Sequence, residues 1–226
     1  MLSYDWNFGR IAPYAEAFWG GLGFTLALSV ATIAFATLLG IAWGAGIVRS
    51  RALKLITTPI LDVLRSLPPL VLVLFGYYFY VQDVVGVSVP AFWAFVFSVG
   101  FNVAAFIADL TRASILNTPA EYVEVAEGIG LSRGQTLRHV IAPIAMRQMV
   151  APLSYIYIDV VKITSLASVI SVQETVYVAQ SIIIATSRSL EVWVIVGAIY
   201  VALILPATLL VRHLEARLSR SAGLAR

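Results

Sequence analysis

An uninterrupted apolar run constrains this chain more than any other feature. Residues Ala17 to Val48 carry no charge, and the run exceeds the ~20 residues that a helix needs to cross ~30 Å of hydrocarbon. A backbone in lipid must satisfy its own hydrogen bonds, which a helix does. Gly40, Gly44 and Gly46 would let a second helix approach closely. The run therefore predicts a membrane-spanning helix.

The rest of the chain has the same character. Of its 226 residues, 60% are hydrophobic and 12% are charged, which is too apolar for an ordinary soluble domain. We predict an all-α integral membrane protein with a single transmembrane domain over residues 1–226. Its five transmembrane helices are predicted at residues 17–48, 56–81, 90–111, 149–172 and 191–211. Residues 82–89 would form a short loop, and residues 173–190 a partly embedded or surface segment.

The second predicted span is interrupted by Pro68 and Pro69. Proline removes a backbone hydrogen bond and clashes with the preceding helical turn. In lipid, such a break persists only where neighbouring protein or a water-filled cavity satisfies the freed carbonyls. We therefore expect a kink at an interior surface.

Basic residues are distributed unevenly between the predicted loops. With the N-terminus outside, the outer side receives only Arg10 and Arg188. The inner side then receives Arg49, Arg51, Lys54, Arg112, Arg133, Arg138, Arg147, Arg212, Arg217, Arg220 and Arg226. The positive-inside rule thus predicts an outer N-terminus and a cytosolic C-terminus. A bacterial cytoplasmic membrane is the expected location.

One long polar stretch, Thr118 to Pro143, interrupts the apolar pattern. Thr118 is a natural N-cap, Pro119 suits a first helical turn, and Glu121 stands at the acidic position of a capping box. This first helix should end at residues 128–130, because glycine accepts a left-handed C-cap.

A second helix should follow within the same stretch. Ser132 and Gln135 repeat the capping pattern, and Pro143 marks the expected end of the helix. The orientation above places this loop, residues 117–147, in the cytosol. A bent helix pair is not needed to cross a bilayer, so we interpret it as a surface that a cytosolic partner binds.

The spacing inside this loop resembles that of permeases of ABC importers. Glu124-Val125-Ala126, Gly130 and Pro143 fall where that family has Glu-Ala-Ala, glycine and Leu-Pro. Val125, Val140 and Ala142 replace alanine, isoleucine and leucine, which are apolar-for-apolar changes.

Two flanking segments extend the resemblance to the branch that carries polar amino acids. LRSLPPLVLV, at Leu64 to Val73, is similar to the Arg-Gly-Thr-Pro segment. Lys162 to Ile170 is similar to the Lys-Asp-Thr-Ser-Leu run, with Ile163 in place of the acid.

The resemblance implies a type I ABC-importer permease fold whose polar loop is a coupling helix docked on an ATPase. The residues expected to couple to the ATPase are Glu121, Glu124, Ala126, Gly130, Leu131, Ser132 and Pro143. It also implies three protein partners: ABC ATPase subunits, a second permease in a homo- or heterodimer, and a periplasmic or lipid-anchored substrate-binding protein. Membrane lipid surrounds the assembly, and nucleic acid is not an expected partner.

The chain is not expected to be an enzyme or to hold a cofactor. It contains no G-x-x-x-x-G-K-[ST] phosphate-binding loop, so by that route ATP and magnesium would be bound by the partner ATPase. The two histidines, His139 and His213, have no accompanying cluster of metal ligands in the sequence, and cysteine is absent. No metal site is predicted.

Polar groups inside apolar spans are candidates for a substrate pathway, because intramembrane charges are costly. The candidates are Arg65, Pro68, Asn102, Asp109, Asp159, Lys162, Thr164 and Ser165. Six of them have a structural alternative. Asp159 and Lys162 can form an ion pair, Asp109 can pair with Arg112, and Arg65 can snorkel to the inner surface. Ser and Thr hydroxyls, including that of Ser168, can bond back to their own helix.

The cargo is predicted from two apolar positions. Relatives that carry cationic amino acids have acids in the fourth span, where this chain has Ile156 and Ile163. We predict that a cationic amino acid is not the preferred cargo, or that the paired permease supplies the charge. The alternative function is a stand-alone carrier or channel coupled to an ion gradient through Asp109, Asp159 and Lys162.

Overall fold

The computed structural model describes residues 4–81 and 89–221, which form helices and no strands. Two short 3₁₀ turns, Phe8–Arg10 and Ala12–Tyr14, precede the long helices. The first four helices are α1 (Ala15–Arg49), α2 (Arg51–Ser66), α3 (Pro69–Val81) and α4 (Ala91–Leu116). The polar stretch contains α5 (Ala120–Gly128) and α6 (Arg133–Thr136), followed by a π-helical segment, Leu137–Ile141. The remainder is α7 (Ala142–Ile163), a 3₁₀ segment (Thr164–Ile170), α8 (Thr175–Thr186) and α9 (Ser189–Ser221).

Four helical stretches in the described part of the chain are long and apolar enough to cross a membrane. A fifth is added if the bent pair of α2 and α3 counts as one span. The all-α multi-pass fold predicted from the sequence is confirmed. Most of the predicted loop at residues 82–89 lies outside the described residues.

The break between α2 and α3 lies at the predicted prolines. Helix α2 ends at Ser66, Leu67 is extended with φ −84° and ψ 133°, and α3 begins at Pro69. The residue before a proline is driven out of the helical region by the proline ring, which explains the conformation of Leu67. The chain bends by 109° at this point, so the expected kink is a complete interruption of the helix.

Residue contacts divide the chain into two compact units. The first comprises residues 1–32, 69–99 and 158–209. Its hydrophobic core joins the N-terminal segment to α1, α8 and α9. The buried members of this core are Ile11, Phe18, Ala179, Ile182, Val192 and Val196.

The second unit comprises residues 33–68, 100–157 and 210–226. Here α1 packs closely on α4 through the predicted glycines. A Cβ atom on Gly40 would lie 2.7 Å from the carbonyl oxygen of Ala104, and one on Gly44 would lie 2.6 Å from Cβ of Thr111. Distances below 3 Å are not tolerated between such atoms. These two glycines therefore permit the close approach of the two helices.

Candidate functional site

The polar stretch contains two short helices joined by a glycine turn. Helix α5 ends at Gly128, and Gly130 has a positive φ of 82°. The amide of Leu131 donates to the carbonyl of Ala126, and that of Gly130 donates to Glu127, both at 3.0 Å. This pair of bonds defines a Schellman motif, which confirms the predicted glycine end of the helix.

The start of α6 also follows its prediction. The Gln135 amide donates to the Ser132 hydroxyl at 3.4 Å, and the Ser132 amide donates to the Gln135 side-chain oxygen at 2.9 Å. Both halves of the capping box are present. The turn of residues 128–132 is therefore fixed by bonds on both sides.

The predicted cap at the start of α5 is wrong. The N-cap is Pro119, and no side chain caps the helix. The Thr118 hydroxyl is instead 3.5 Å from the carbonyl oxygen of Ser114, in the last turn of α4. Thr118 therefore closes the helix before the loop, and Glu121 lies in the first turn of α5 without forming a capping box.

The predicted end at Pro143 is also wrong. Helix α6 continues through the π-helical segment Leu137–Ile141 into α7, and Pro143 lies in the first turn of α7. A proline inside a helix removes one amide and clashes one turn back. The i→i+5 bonding of a π segment changes the spacing of that preceding turn, and the helix passes the proline without ending.

The solvent-exposed surface of α5 is apolar, although the stretch that contains this helix is polar as a whole. Tyr122, Val125 and Ile129 follow at helical spacing and are 56%, 65% and 74% exposed. Glu121 and Glu124 are exposed as well, so their side chains are free to meet a partner. We call these five residues the α5 face. Its apolar members were not singled out from the sequence, although their i, i+3, i+7 spacing was a usable signal.

The other predicted coupling residues have different positions. Ala126 is buried, with 2% exposure, and so packs inside the loop. Leu131 is half-buried and Ser132 is exposed. These two residues, with Gly130, shape the turn that follows the α5 face.

Four charged side chains of the second unit form one cluster around Arg65. Arg65 pairs with Asp62 and, at 2.9 Å, with Asp109. Arg112 is 3.9 Å from Asp109. The sequence predicted only the Asp109–Arg112 pair, since Arg65 is 44 residues away from Asp109 in the chain.

Asn102 has a structural partner at the proline break. Its side-chain amide donates to the carbonyl of Leu64 at 2.6 Å. In an unbroken helix that carbonyl would accept from the amide of residue 68, and Pro68 has none. Asn102 therefore supplies the hydrogen bond that the proline removes, as the sequence argument for a satisfied break requires.

The remaining pathway candidates lie in the first unit. Lys162 donates to Asp159 at 2.9 Å, and both side chains are more than half exposed. The hydroxyls of Thr164 and Ser165 each donate at 2.7 Å to a carbonyl three residues earlier. Ser168 does the same at 2.8 Å. These contacts match the structural alternatives given for these residues: an Asp159–Lys162 ion pair and hydroxyls that bond back to their own helix.

The structure also contains two buried carboxylates that sequence reasoning missed. Glu174 accepts from the amides of Val176 and Tyr177 and so caps α8. Its side chain has no exposure. An acid immediately before an apolar helix is a cap signal that could have been used.

The second carboxylate, Glu191, ties down the N-terminal segment. It accepts from the Tyr4 hydroxyl, from the Asn7 amide at 3.0 Å and from Arg188 at 3.3 Å. The hydrogen bond to this carboxylate raises the pKa of Tyr4 above its ordinary value. Partners more than 180 residues apart leave no local signal in the sequence.

Comparison with known proteins gives a consistent result. Residues 36–220 match the family described as binding-protein-dependent transport system inner membrane component. The glutamine transport system permease protein GlnP of Escherichia coli K12 is 32% identical over 96% of this chain and 99% of its own. The octopine transport system permease protein OccM of Rhizobium radiobacter is 32% identical over 81% of this chain and 78% of its own.

A solved structure agrees in fold. The crystal structure of an amino acid ABC transporter with histidines matches with a TM-score of 0.86 and 28% identity, covering 95% of this chain and 100% of that one. The matched proteins named here are subunits of transport systems, and none supports the alternative of a stand-alone carrier. Such permeases are non-catalytic and work with a separate ATPase and a binding protein. The chain therefore belongs to the family of binding-protein-dependent transport system inner membrane components and is a permease subunit of an ABC importer.

Proposed function

We propose that this permease imports a polar amino acid or a similar solute and that the α5 face is its contact with the ATPase. It would work as a homo- or heterodimer of permeases in a bacterial cytoplasmic membrane. A periplasmic or lipid-anchored binding protein would deliver the solute. The observation that carries the proposal is the apolar ridge that Tyr122, Val125 and Ile129 form on the α5 face.

The ridge is suited to a protein partner. Three neighbouring side chains, Tyr122, Val125 and Ile129, are more than half exposed on a helix of an otherwise polar loop. Full burial of one such side chain stabilises a protein or complex by about 1.5–3 kcal/mol. Covering the three side chains of the ridge with a partner would therefore add several kcal/mol to the free energy of binding. An amphipathic helix that presents apolar anchors at this spacing is typical of helix-in-groove recognition. The ATPase subunit supplies the groove.

Charge supports the cytosolic location of the α5 face. The positive-inside rule, applied to the basic residues alone, places residues 117–147 on the side where ATP is available. The two acids Glu121 and Glu124 flank the ridge and favour a basic rim around the groove.

The proposed cargo is supported by sequence similarity and by two apolar side chains of α7. A permease named for glutamine transport is similar to this chain. Ile156 and Ile163 are half-buried on α7 and lie seven residues apart, so they share a helical face. Neither can compensate a guanidinium or an ammonium group. A neutral or acidic amino acid is therefore the preferred cargo, unless the second permease provides a carboxylate.

The docking proposal is tested by placing a charge on the ridge. Val125→Asp combined with Ile129→Asp should release the ATPase during purification and abolish uptake, because two aspartates cannot enter an apolar groove without a large desolvation cost. Glu127→Gln is the matched control, since Glu127 is exposed on the same helix and lies outside the α5 face. Unchanged ATPase retention in the double variant, with normal membrane insertion, would contradict the docking surface.

The cargo proposal is tested separately with labelled solutes. Proteoliposomes that contain the permease, its ATPase and its binding protein should take up glutamine or glutamate more efficiently than arginine. Arginine uptake of equal efficiency by a homodimeric complex would refute the argument from the two isoleucines. This outcome would leave the docking surface unaffected.

A further inference from the structure

We propose that a cavity between α1, α2 and α4 binds the phosphate of an anionic membrane lipid. The cavity has a volume of about 130 Å³ and lies entirely in the second unit. Its charged wall consists of Lys54, Arg65, Arg112 and Asp109, and Thr58 adds a hydroxyl. Two of these residues, Arg65 and Asp109, were candidates for the substrate pathway, whereas Lys54, Thr58 and Arg112 were not.

The charges of the wall are incompletely neutralised. Arg65 engages Asp109 at 2.9 Å and also Asp62. Arg112 is 3.9 Å from Asp109, which is too long for a charge-assisted hydrogen bond. Lys54 has no ion pair among the described residues. The wall therefore contains three cations and one carboxylate, and Asp62, outside the wall, also pairs with Arg65. The two cations without a close partner, Lys54 and Arg112, both line the cavity.

The surroundings favour a lipid over a free anion. Lys54, Thr58, Leu61 and Arg65 recur at helical spacing, which places them on one face of α2. Other faces of the same helix expose Leu55, Ile56, Ile60 and Val63, each at least half exposed. A molecule with an anionic head and apolar chains matches both features at once.

The orientation of the chain agrees with this occupant. Lys54 and Arg112 are among the basic residues that the positive-inside rule places at the cytosolic surface. Anionic lipids are enriched in that leaflet, and basic pockets between transmembrane helices on that side bind their headgroups. Each basic residue that lines such a pocket and faces the headgroup strengthens its binding about fivefold.

The test measures lipid retention by the full-length chain purified with its ATPase. The complex is placed in nanodiscs of phosphatidylcholine alone or mixed equally with phosphatidylglycerol, released, and analysed by native mass spectrometry. Lys54→Gln or Arg112→Gln should lower retained phosphatidylglycerol about fivefold, and the double variant about 25-fold. Arg51→Gln is the matched control, because Arg51 is exposed on α2 and does not line the cavity.

Further arms separate the lipid from other causes. Lys54→Arg keeps the charge and should retain phosphatidylglycerol at the level of the unaltered protein. If Lys54→Arg lost as much phosphatidylglycerol as Lys54→Gln, a charge-based site would be contradicted. Excess inorganic phosphate should not displace the lipid. Displacement would assign the cavity to a free anion, and equal retention by the double variant and the Arg51 control would overturn the site. If Lys54→Gln or Arg112→Gln changed the KM for solute and left lipid retention unchanged, the cavity would belong to the transport pathway instead.

Discussion

The glycine turn after α5 allows a prediction with a nearly ideal control. Gly128 and Gly130 are two residues apart, and a Cβ atom at either position meets nothing within 4 Å. Only Gly130 has a positive φ, 82°. Gly130→Ala and Gly128→Ala thus add the same atoms in open space, and only their backbone conformations differ.

The magnitude follows from that difference. A non-glycine residue in the left-handed region costs roughly 1–2 kcal/mol, so Gly130→Ala should destabilise the turn by that amount. Gly128 ends a helix, where alanine is favoured over glycine by up to ~1 kcal/mol. The two variants should therefore differ by about 1–3 kcal/mol, with opposite signs. For the turn, a cost of 1–2 kcal/mol corresponds to a roughly 5–30-fold shift in population.

Two measurements check the prediction. Hydrogen exchange should accelerate by that factor at the two donor amides of the motif, those of Gly130 and Leu131. In the Gly130→Ala variant, the amide at position 130 is that of the introduced alanine. In proteoliposomes with the ATPase and binding protein, Gly130→Ala should lower the solute imported per ATP hydrolysed. Gly128→Ala should slow exchange at these amides by at most about fivefold and should leave import per ATP close to that of the unaltered protein.

Two outcomes would contradict a role of the left-handed glycine in coupling. Faster exchange in Gly130→Ala with unchanged import per ATP would show that the turn geometry has no part in coupling. Equal exchange in the two variants would show that the left-handed backbone is not the reason for the glycine.

Three more predictions concern stability. Gly44→Ala should lower the melting temperature of the purified protein, because overpacking costs about 1–3 kcal/mol, whereas Gly23→Ala, which meets nothing within 4 Å, should not. Asn102→Ala should destabilise by about 1–3 kcal/mol, since it leaves the Leu64 carbonyl without its donor, and chemical denaturation checks this. Because the pKa of Tyr4 is raised, its hydrogen bond to Glu191 stabilises the folded N-terminal segment below pH 10.0, and this stabilisation is lost as the pH rises through the folded pKa. Tyr4→Phe should remove this pH dependence, which is measured by amide hydrogen exchange in residues 4–14.

Local signals in the sequence predicted local structure well. The apolar runs, the break at Pro68 and the Ser132–Gln135 box each depend on residues within a few positions, and the structure contains all three. The glycines of α1 were also recognisable as a surface for close packing. Membrane helices are readable in this way because lipid leaves the backbone no alternative partner.

The errors arose where distant or adjacent partners competed with a local pattern. The hydroxyl of Thr118 bonds backward to α4 instead of forward to α5, and both choices are compatible with the same residues. Pro143 does not end its helix, because the π segment before it changes the bonding pattern. Hydropathy alone does not indicate where such a segment forms.

The functional residues divide along the same line. The exposed ridge of α5 could have been read from its spacing, whereas the cluster around Arg65 required the pairing of α2 with α4. Asn102 was selected as a pathway residue because it is polar inside a span. Its bond to Leu64 gives it a different explanation, which only the tertiary structure provides.

The uninterrupted passage from α6 into α7 has a mechanical consequence. From Arg133 to Ile163 the chain is helical without a loop, a rod of roughly 45 Å at 1.5 Å per residue. A tilt of about 5° applied at the α6 end of the rod would swing the other end by roughly 4 Å. A small rotation forced on the short α6 would thus be amplified into a displacement as large as a side chain, as long as the π segment between α6 and α7 stays rigid.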